Sequence, residues 1–178
     1  MEHTPAEVWA EYKQAHTQVL VITGEIGAGK TTWCRDLIAQ ARTSGAQVVG
    51  LASPAVFTGG QKVAIDLLNL ASNEQRRLAD RLVVPDAASP TPNWKFYGET
   101  LAWGNTVLRA IDTCDLLVID ELGPLELQHN QGWQSALPLL KQRNYRVACV
   151  VVRRSLLTTF LAIFPDTVVI EIKHENNS

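Results

Sequence analysis

The chain has 178 residues, of which 46% are hydrophobic and 19% are charged, so it is long enough to bury the single sizeable core of a globular α/β protein. Its net charge of −2 lacks the excess of basic residues that is typical of nucleic-acid-binding proteins. No apolar run approaches the roughly 20 residues of a membrane-spanning helix. The amino terminus lacks a secretion signal, and the three cysteines have no metal-ligand spacing, which favours a reducing compartment. We therefore predict a cytoplasmic protein with one domain over residues 1–178, whose core holds Cys34, Cys114 and Cys149.

Short apolar runs alternate with helix-compatible segments along the chain. Most of the runs lack polar–apolar alternation, which is typical of parallel strands covered on both faces. This order predicts a three-layer, doubly wound α/β fold with a mostly parallel, five-stranded sheet and helices on both faces. The predicted strands are Val19–Thr23, Gln47–Ala52, Leu116–Asp120, Val147–Val152 and Thr167–Ile172. The predicted helices are Thr32–Thr43, Glu99–Asp112, Trp133–Arg143 and Ser155–Phe164, with a further candidate from Thr4 to Gln14.

Residues 53–97 interrupt this alternation with a long insertion. Within it, Gly59-Gly60 separates Val56-Phe57 from the apolar run at 63–67, a pattern that predicts a β-hairpin. The stretch at 87–93 contains two prolines and predicts a loop. Insertions of this size are often functional lids or binding loops, and a surface hairpin without a function is an equal alternative.

The segment from Gly24 to Thr31 lies between a predicted strand and a predicted helix and has the spacing G-x-x-x-x-G-K-T of a phosphate-binding P-loop. Its glycines let successive N–H groups point inward, and the helix adds its free N–H groups and the positive end of its dipole. Lys30 can bridge the β- and γ-phosphates, and the Thr31 hydroxyl can bind Mg²⁺. The alternative is a glycine-rich turn with an incidental lysine. The pattern predicts binding of a nucleoside polyphosphate by Gly24, Glu25, Ile26, Gly27, Ala28, Gly29, Lys30, Thr31 and Thr32.

Asp120 and Glu121 follow four apolar residues, where a predicted strand reaches the carboxyl edge of the sheet. Ligands of open α/β sheets bind at this edge, so we expect Asp120 to hold Mg²⁺ together with Thr31. Glu121 can then lie beside the γ-phosphate and deprotonate a water molecule for in-line attack. The alternatives are that Asp120 caps a helix or a loop, and that Glu121 faces solvent or pairs with a basic residue.

Asp120–Leu127 reads D-E-L-G-P-L-E-L, which resembles the D-E-[IL]-G-x-[ML]-E-L signature of the cancer-related nucleoside-triphosphatase family. Thr23–Thr32 resembles the opening V-T-G-x-x-G-x-G-K-T-T of that family. The block at 53–67 resembles its S/T-P-E-V…G-G-R…G-F-D pattern, and Lys173–Asn176 resembles a common C-terminal ending. The resemblance therefore spans residues 19–176, nearly the whole chain.

The chain departs from the family pattern in three places. Arginine is common where Gln61 stands, which weakens any contact carried over to this residue. Leu125 replaces the usual methionine, and the predicted helix before Val19 looks like an extension, whose purpose the sequence leaves open.

The resemblance implies a P-loop fold of the type that has an additional central strand and a catalytic glutamate. In that fold, Val147–Val152 lies between the P-loop strand and the Asp120 strand, and its carboxyl end brings Arg153 or Arg154 near the γ-phosphate. An arginine there can stabilise negative charge as an arginine finger supplied by the same chain. Two surface arginines at the start of a helix are an equal alternative. The implied catalytic residues are Glu121, Lys30 and Arg153.

The implied reaction is hydrolysis of nucleoside triphosphates (ATP, GTP, CTP or UTP) to diphosphate and phosphate, with Mg²⁺ as cofactor and broad tolerance of the base. Such tolerance is expected where the phosphates provide most of the binding. Two other functions stay open. One is a kinase whose phosphate acceptor binds under the insertion, with Arg76, Arg77 and Arg81 as lid residues. The other is a nucleotide-dependent switch that binds a partner protein.

Aromatic residues are the remaining candidates for substrate contact. Trp94, Phe96 and Tyr97 lie within four positions beside the proline-containing loop. A ring there can stack on a nucleobase, but core packing is the favoured interpretation because aromatic burial dominates packing energetics.

Overall fold

A computed structural model describes residues 4–14 and 17–173, and in this part of the chain nine strands form one mixed sheet. The strands are β1 (Gln18–Thr23), β2 (Val48–Ala52), β3 (Ala55–Thr58), β4 (Gln61–Asn69), β5 (Gln75–Arg81), β6 (Trp94–Phe96), β7 (Cys114–Leu122), β8 (Tyr145–Val152) and β9 (Val168–Glu171). The helices are α1 (Pro5–Tyr12), α2 (Lys30–Thr43), α3 (Gly98–Arg109), α4 (Pro124–Leu127), α5 (Ala136–Gln142) and α6 (Leu157–Ile163). All five predicted strands are therefore present. Of the C-terminal motif, all but Lys173 lies outside the described residues.

The five predicted strands form the parallel part of the sheet, in the order β2-β7-β8-β1-β9. Strand β8 pairs with β1 on one side and with β7 on the other, both in parallel. This confirms the additional central strand between the P-loop strand and the strand of Asp120. Because parallel strands end at the same edge, the segments that follow β1, β7 and β8 come together there.

The insertion enlarges the sheet beyond the five strands expected. Strands β3 and β4 form the predicted hairpin, with Thr58 opposite Gln61 across Gly59-Gly60. Strand β4 also pairs antiparallel with β2 and β5, and β5 pairs with β6, so the insertion contributes four antiparallel strands. The sequence did not predict β5 and β6, because β5 begins with the polar, exposed residues 75–77 and β6 is three residues long. Pairing of β5 with β4 and of β6 with β5, together with the burial of Leu78 and Ala79, holds these strands in place.

Two apolar layers cover the two faces of the sheet. Alternate residues of β7 show the division, since Leu116 and Val118 face the layer of α1 and α2, while Leu117 and Ile119 face the layer of α3, α5 and α6. Each of these four residues is fully buried. This confirms the three-layer architecture. Helix α5 begins at Ala136, three residues later than predicted from Trp133.

The extension before β1 packs as part of this core. Helix α1 begins with a capping box between Thr4 and Glu7, and it buries Val8 and Trp9 against the layer that contains α2. The indole Nε1 of Trp9 donates a hydrogen bond of 2.9 Å to Ser44 Oγ at the end of α2. Helix α1 therefore covers apolar surface of the P-loop helix.

The three cysteines are buried and free, as predicted for core residues. Cys34 on α2 and Cys149 on β8 lie with their Sγ atoms 3.6 Å apart. None of the helices in the described ranges is both long enough and apolar enough to cross a membrane.

Candidate active site

The predicted phosphate-binding loop runs from Gly24 to Gly29 between β1 and α2. Gly24, Gly27 and Gly29 have φ angles of 148°, 81° and 92°, which residues other than glycine rarely adopt. A Cβ atom on Gly24 would lie 2.3 Å from the backbone oxygen of Ile172 just after β9, so this glycine also allows the loop to approach the neighbouring chain. The glycines are therefore required by the backbone conformation of the loop as well as by its predicted role in phosphate binding.

The Lys30 ammonium lies within the loop and is surrounded by the other charges predicted for the site. Its Nζ donates hydrogen bonds to the carbonyl oxygens of Gly24 (2.9 Å) and Glu25 (2.7 Å). Burial lowers the pKa of Lys30, and the nearby carboxylates, Glu121 foremost, partly oppose this effect. Arg153 and Asp120 also contribute to its electrostatic surroundings. The fold therefore brings the P-loop lysine and the residues that follow β7 and β8 into one charged cluster.

Asp120 lies at the end of the buried part of β7 and is 5% exposed. Its Oδ2 accepts a hydrogen bond of 3.1 Å from the Ser53 amide, and its backbone oxygen accepts one of 3.3 Å from the Ser53 hydroxyl. Burial raises the pKa of Asp120 to about 6, an effect that the Ser53 amide opposes. A carboxylate that is poorly solvated and faces a hydroxyl-bearing residue such as Thr31 across the same cavity suits Mg²⁺, a hard cation that prefers oxygen ligands.

Glu121 occupies a bulge in the pairing of β7 with β8. Ile119 pairs with Val150 and Leu122 with Val152, so Asp120 and Glu121 together face one residue of β8. Glu121 adopts a φ of 77°, a left-handed conformation that costs a non-glycine residue about 1–3 kcal/mol. Bulges beside active sites re-aim side chains, and here the carboxylate is 41% exposed and faces the cavity.

The two arginines after β8 have different partners. Arg153 Nε donates to the Glu121 carboxylate, and Arg153 lines the same cavity. Arg154 instead donates to Glu25 Oε1 (3.0 Å) in the P-loop and pairs with Glu171 Oε1 (2.5 Å) at the end of β9. The side chain beside the predicted general base is therefore that of Arg153, whereas Arg154 ties the P-loop to β9.

One cavity of about 250 Å³ adjoins these groups, and Thr31, Asp120, Glu121 and Arg153 line it together. Lys62 on β4 also lines it, a residue that the sequence reasoning missed. Burial lowers the pKa of Lys62, while Glu121 and Asp120 oppose this. A signal was present, because Lys62 directly follows Gln61, the position where the family pattern has arginine. The lysine thus supplies a cation to the site from the insertion.

The far side of the cavity is built from the insertion and from the segment that follows Glu121. Its apolar wall contains Ile65, Leu78, Trp94, Phe96, Leu101 and Trp133. Tyr97, the third ring of the aromatic cluster, does not line the cavity but donates a hydrogen bond of 2.5 Å to Asp80. The insertion is therefore part of the site, and Trp94 and Phe96 are half-buried rings on its wall.

Glu126 fixes the conformation of residues 123–133, the segment after Glu121 that forms part of the cavity wall. Its carboxylate accepts hydrogen bonds of 2.8 Å from the amide of Gly123 and of 2.8 Å from the amide of Trp133. Burial raises its pKa, and these amides oppose the shift. Gly132 has a φ of 66°, which favours glycine, and a Cβ on it would lie 1.9 Å from Glu126 Oε1, so a side chain there would displace this carboxylate. The second glutamate of the D-E-L-G-P-L-E-L motif therefore has a positioning role.

Comparison with known proteins gives consistent matches. A family model described as NTPase matches residues 19–178. The nucleoside-triphosphatase THEP1 of Caldivirga maquilingensis is 32% identical over 132 residues, which is 73% of each chain. The solution structure of a human cancer-related nucleoside triphosphatase has a TM-score of 0.69, with 20% identity over 89% of this chain and 90% of that one. The crystal structure of THEP1 from Aquifex aeolicus has a TM-score of 0.61, with 18% identity over 90% of this chain and 92% of that one.

Proposed function

Because this chain belongs to the NTPase family, the family of the cancer-related nucleoside triphosphatases that its motifs resemble, we propose that it hydrolyses nucleoside triphosphates to diphosphate and phosphate in a Mg²⁺-dependent reaction that tolerates different bases. The observation that carries the proposal is that Asp120, Glu121 and Arg153 line one cavity at the carboxyl edge of the sheet, close enough to Lys30 to influence its charge. Each of these side chains has a task in phosphoryl transfer to water.

Binding begins at the P-loop. The N–H groups from Gly24 to Thr32 and the amino-terminal end of α2 surround the β- and γ-phosphates. Lys30 exchanges its hydrogen bonds to the Gly24 and Glu25 oxygens for bonds to phosphate oxygens. The Thr31 hydroxyl and the Asp120 carboxylate would hold Mg²⁺, which neutralises charge on the phosphates when bound.

Glu121 acts as the general base in this mechanism. The bulge at 120–121 directs its carboxylate toward the cavity, where it accepts the proton of a water molecule that attacks the γ-phosphorus. The oxygen–phosphorus bond to the water forms as the bond to the β-phosphate oxygen breaks, and diphosphate leaves in line. The contact with Glu121 keeps the Arg153 guanidinium beside the γ-phosphate, where it stabilises the charge of the transition state.

Broad base tolerance follows from where the charged contacts lie. The side chains assigned to the site all bind the triphosphate, Mg²⁺ or the attacking water. The chain has no N-K-x-D motif of the kind that reads a base. Discrimination among bases is then weak, because phosphate contacts fix position without reading the base. We expect ATP, GTP, CTP and UTP all to be substrates.

The test measures phosphate release from the four nucleotides with Mg²⁺ in the wild-type protein and in Glu121→Gln. The amide retains the shape of the side chain but cannot accept the proton, so turnover should fall about 10²–10⁴-fold while nucleotide affinity is retained. Glu99→Gln, an exposed carboxylate in the first turn of α3, is the matched control and should keep the wild-type rate. Turnover that survives Glu121→Gln would assign the base to another residue.

A further inference from the structure

Lys62 differs from the other cations of the site in its partners. Lys30 donates hydrogen bonds to two carbonyl oxygens of the P-loop. Arg153 contacts Glu121, and Arg154 pairs with two glutamates. The half-buried Lys62 ammonium, by contrast, makes no ion pair and donates no hydrogen bond to residues 4–14 or 17–173. Removal of an ammonium from water without a partner is costly, so a cation in this state suits a ligand that brings the opposite charge.

A bulge in β4 turns Lys62 toward the cavity. The consecutive positions 56 and 57 of β3 pair with Ala64 and Lys62, so Val63 is an extra residue in β4. Side chains alternate between the two faces of a regular strand, which would place Lys62 and Ile65 on opposite faces. With the extra residue between them, both line the cavity. The backbone therefore directs this lysine to the cavity, as the bulge in β7 does for Glu121.

The Trp94 ring supports the ammonium at the cavity wall. Lys62 Nζ lies 5.0 Å from the centroid of this ring, within the range of cation–π attraction. The contact restricts a long and otherwise flexible side chain to one region of the wall. Because the face of the ring carries no net charge, the charge of the ammonium remains available to an anion.

The nearby carboxylates indicate which anion this is. Burial lowers the pKa of Lys62, and Glu121 and then Asp120 oppose this change. Burial raises the pKa of Asp120, and Lys62 opposes the rise more strongly than Lys30 does. The proposed function assigns Asp120 to Mg²⁺ and Glu121 to the attacking water, and both meet the terminal phosphate of a bound triphosphate. The charge of Lys62 therefore acts on the groups that surround this phosphate.

We propose that the Lys62 ammonium binds oxygens of the γ-phosphate, so that the insertion supplies a catalytic residue of its own. The proposal rests on the proposed function, because it places Lys62 beside the phosphate that Asp120 and Glu121 serve there. Lys30 then addresses the triphosphate from the P-loop, Arg153 from the end of β8 and Lys62 from β4. A diphosphate offers Lys62 no terminal phosphate to bind. The insertion is therefore the part of the protein that distinguishes the triphosphate substrate from the diphosphate product.

The experiment compares the affinities of the non-hydrolysable triphosphate AMP-PNP and of ADP, each with Mg²⁺, by calorimetry. In Lys62→Met, the Kd for AMP-PNP should rise about tenfold or more, as for the loss of one charge-assisted hydrogen bond, and the Kd for ADP should change less than about twofold. The kcat/KM for ATP should fall by the same factor as the affinity for AMP-PNP. Lys62→Arg should recover most of both, because a guanidinium also donates to phosphate oxygens. Lys95→Met is the matched control, since this exposed lysine of β6 belongs to the insertion but does not line the cavity.

Three outcomes separate this proposal from its alternatives. Equal weakening of AMP-PNP and ADP in Lys62→Met, with a lower melting temperature of the nucleotide-free protein, would assign Lys62 a structural role and overturn the proposal. An unchanged affinity for AMP-PNP would overturn it as well. A wild-type protein that releases no phosphate from any nucleotide, but in which Lys62→Met weakens only AMP-PNP, would contradict the hydrolase function and support the Lys62 assignment. Lys62→Gln, a second neutral replacement, carries the same comparison if Lys62→Met does not fold.

Discussion

The parallel and the antiparallel halves of the sheet build opposite sides of the same cavity. Strands β1, β7 and β8 are almost wholly buried. Asp120 and Glu121 lie near the end of β7, Arg153 directly follows β8, and Lys30 follows the loop after β1. Strands β3, β5 and β6 are mostly exposed or half-buried. The buried half holds charged groups in fixed positions, and the exposed half supplies the shape of the pocket that these groups face.

The difference shows how the two halves achieve their stability. Apolar burial on both faces holds the parallel strands, so chemistry can be placed at their ends without loss of the core. The antiparallel half is held by strand pairing and by fewer buried side chains, such as Leu67 and Leu78, and its surface carries ion pairs such as Arg77 with Asp66 and Asp80. Exposed ion pairs contribute little, which leaves this half free to vary in the pocket that it forms.

After Glu121→Gln, the largest effect should come from Lys30 at the carboxyl edge of the parallel strands. Lys30→Ala removes the ammonium that addresses the phosphates, and turnover should fall about 10²–10³-fold, as for loss of one preorganised donor to a developing charge. Phosphate release and nucleotide affinity measure the two consequences. Lys141→Ala, an exposed residue in the last turn of α5, is the control. An unchanged rate of phosphate release in Lys30→Ala would show that the P-loop lysine has no part in the reaction.

A smaller but still large effect should follow from the close approach of the P-loop to β9. Gly24→Ala places a Cβ 2.3 Å from the Ile172 oxygen and should cost about 2–3 kcal/mol in the free energy of unfolding, as well as distort the loop. Gly29→Ala meets nothing within 4 Å, so it should incur only the cost of its positive φ, about 1 kcal/mol. Urea denaturation compares the two. Equal losses would mean that the contact with β9 does not constrain the loop.

Asp120→Asn should raise stability while it removes activity. Burial raises the pKa of Asp120 from 3.8 to about 6, so the ionised carboxylate lowers the free energy of unfolding above that pH. The amide keeps an acceptor for the Ser53 N–H and carries no charge, so we expect a gain of about 1–3 kcal/mol at neutral and alkaline pH.

The sign of the pH dependence provides the check on Asp120→Asn. A pKa raised in the folded state means that the native carboxyl binds its proton more readily, so the gain should shrink as the pH falls from about 6 toward 3.8. Urea denaturation without Mg²⁺ or nucleotide, at several pH values, measures it. A loss of stability in the variant at neutral pH would show that the charge of Asp120 is favourably paired in the nucleotide-free protein.

The smallest effect should come from the exposed face of the antiparallel half. Arg76 pairs with Glu74 at 2.7 Å and stacks on Trp103, with both charged side chains near half exposure. Arg76→Gln should change the free energy of unfolding by less than about 1 kcal/mol and leave phosphate release unaltered. None of Arg76, Arg77 and Arg81 lines the cavity in the described part of the chain, which disfavours the lid role considered for them. A marked loss of turnover in Arg76→Gln would restore that role.

Local patterns in the sequence determined the parallel half. The glycine spacing from Gly24 to Gly29, the Lys30-Thr31 pair and the apolar run before Asp120 each act over a few neighbouring residues. The conformations they require are set by the residues themselves, such as the positive φ of the loop glycines. The five parallel strands, their helices and the central position of β8 could therefore be predicted, in part from residue pattern and in part from family resemblance.

Only the tertiary structure decided how the antiparallel half completes the site. Strand β5 pairs with β4 and β6 pairs with β5, and neither carries an apolar pattern that marks it as a strand. Lys62 lines the same cavity as Asp120 and Glu121, although more than fifty positions separate it from them in the sequence. Arg153, rather than Arg154, contacts Glu121 because the bulge in β7 turns the Glu121 carboxylate that way. Such contacts depend on backbone pairing between distant segments, and a single sequence does not encode that register locally.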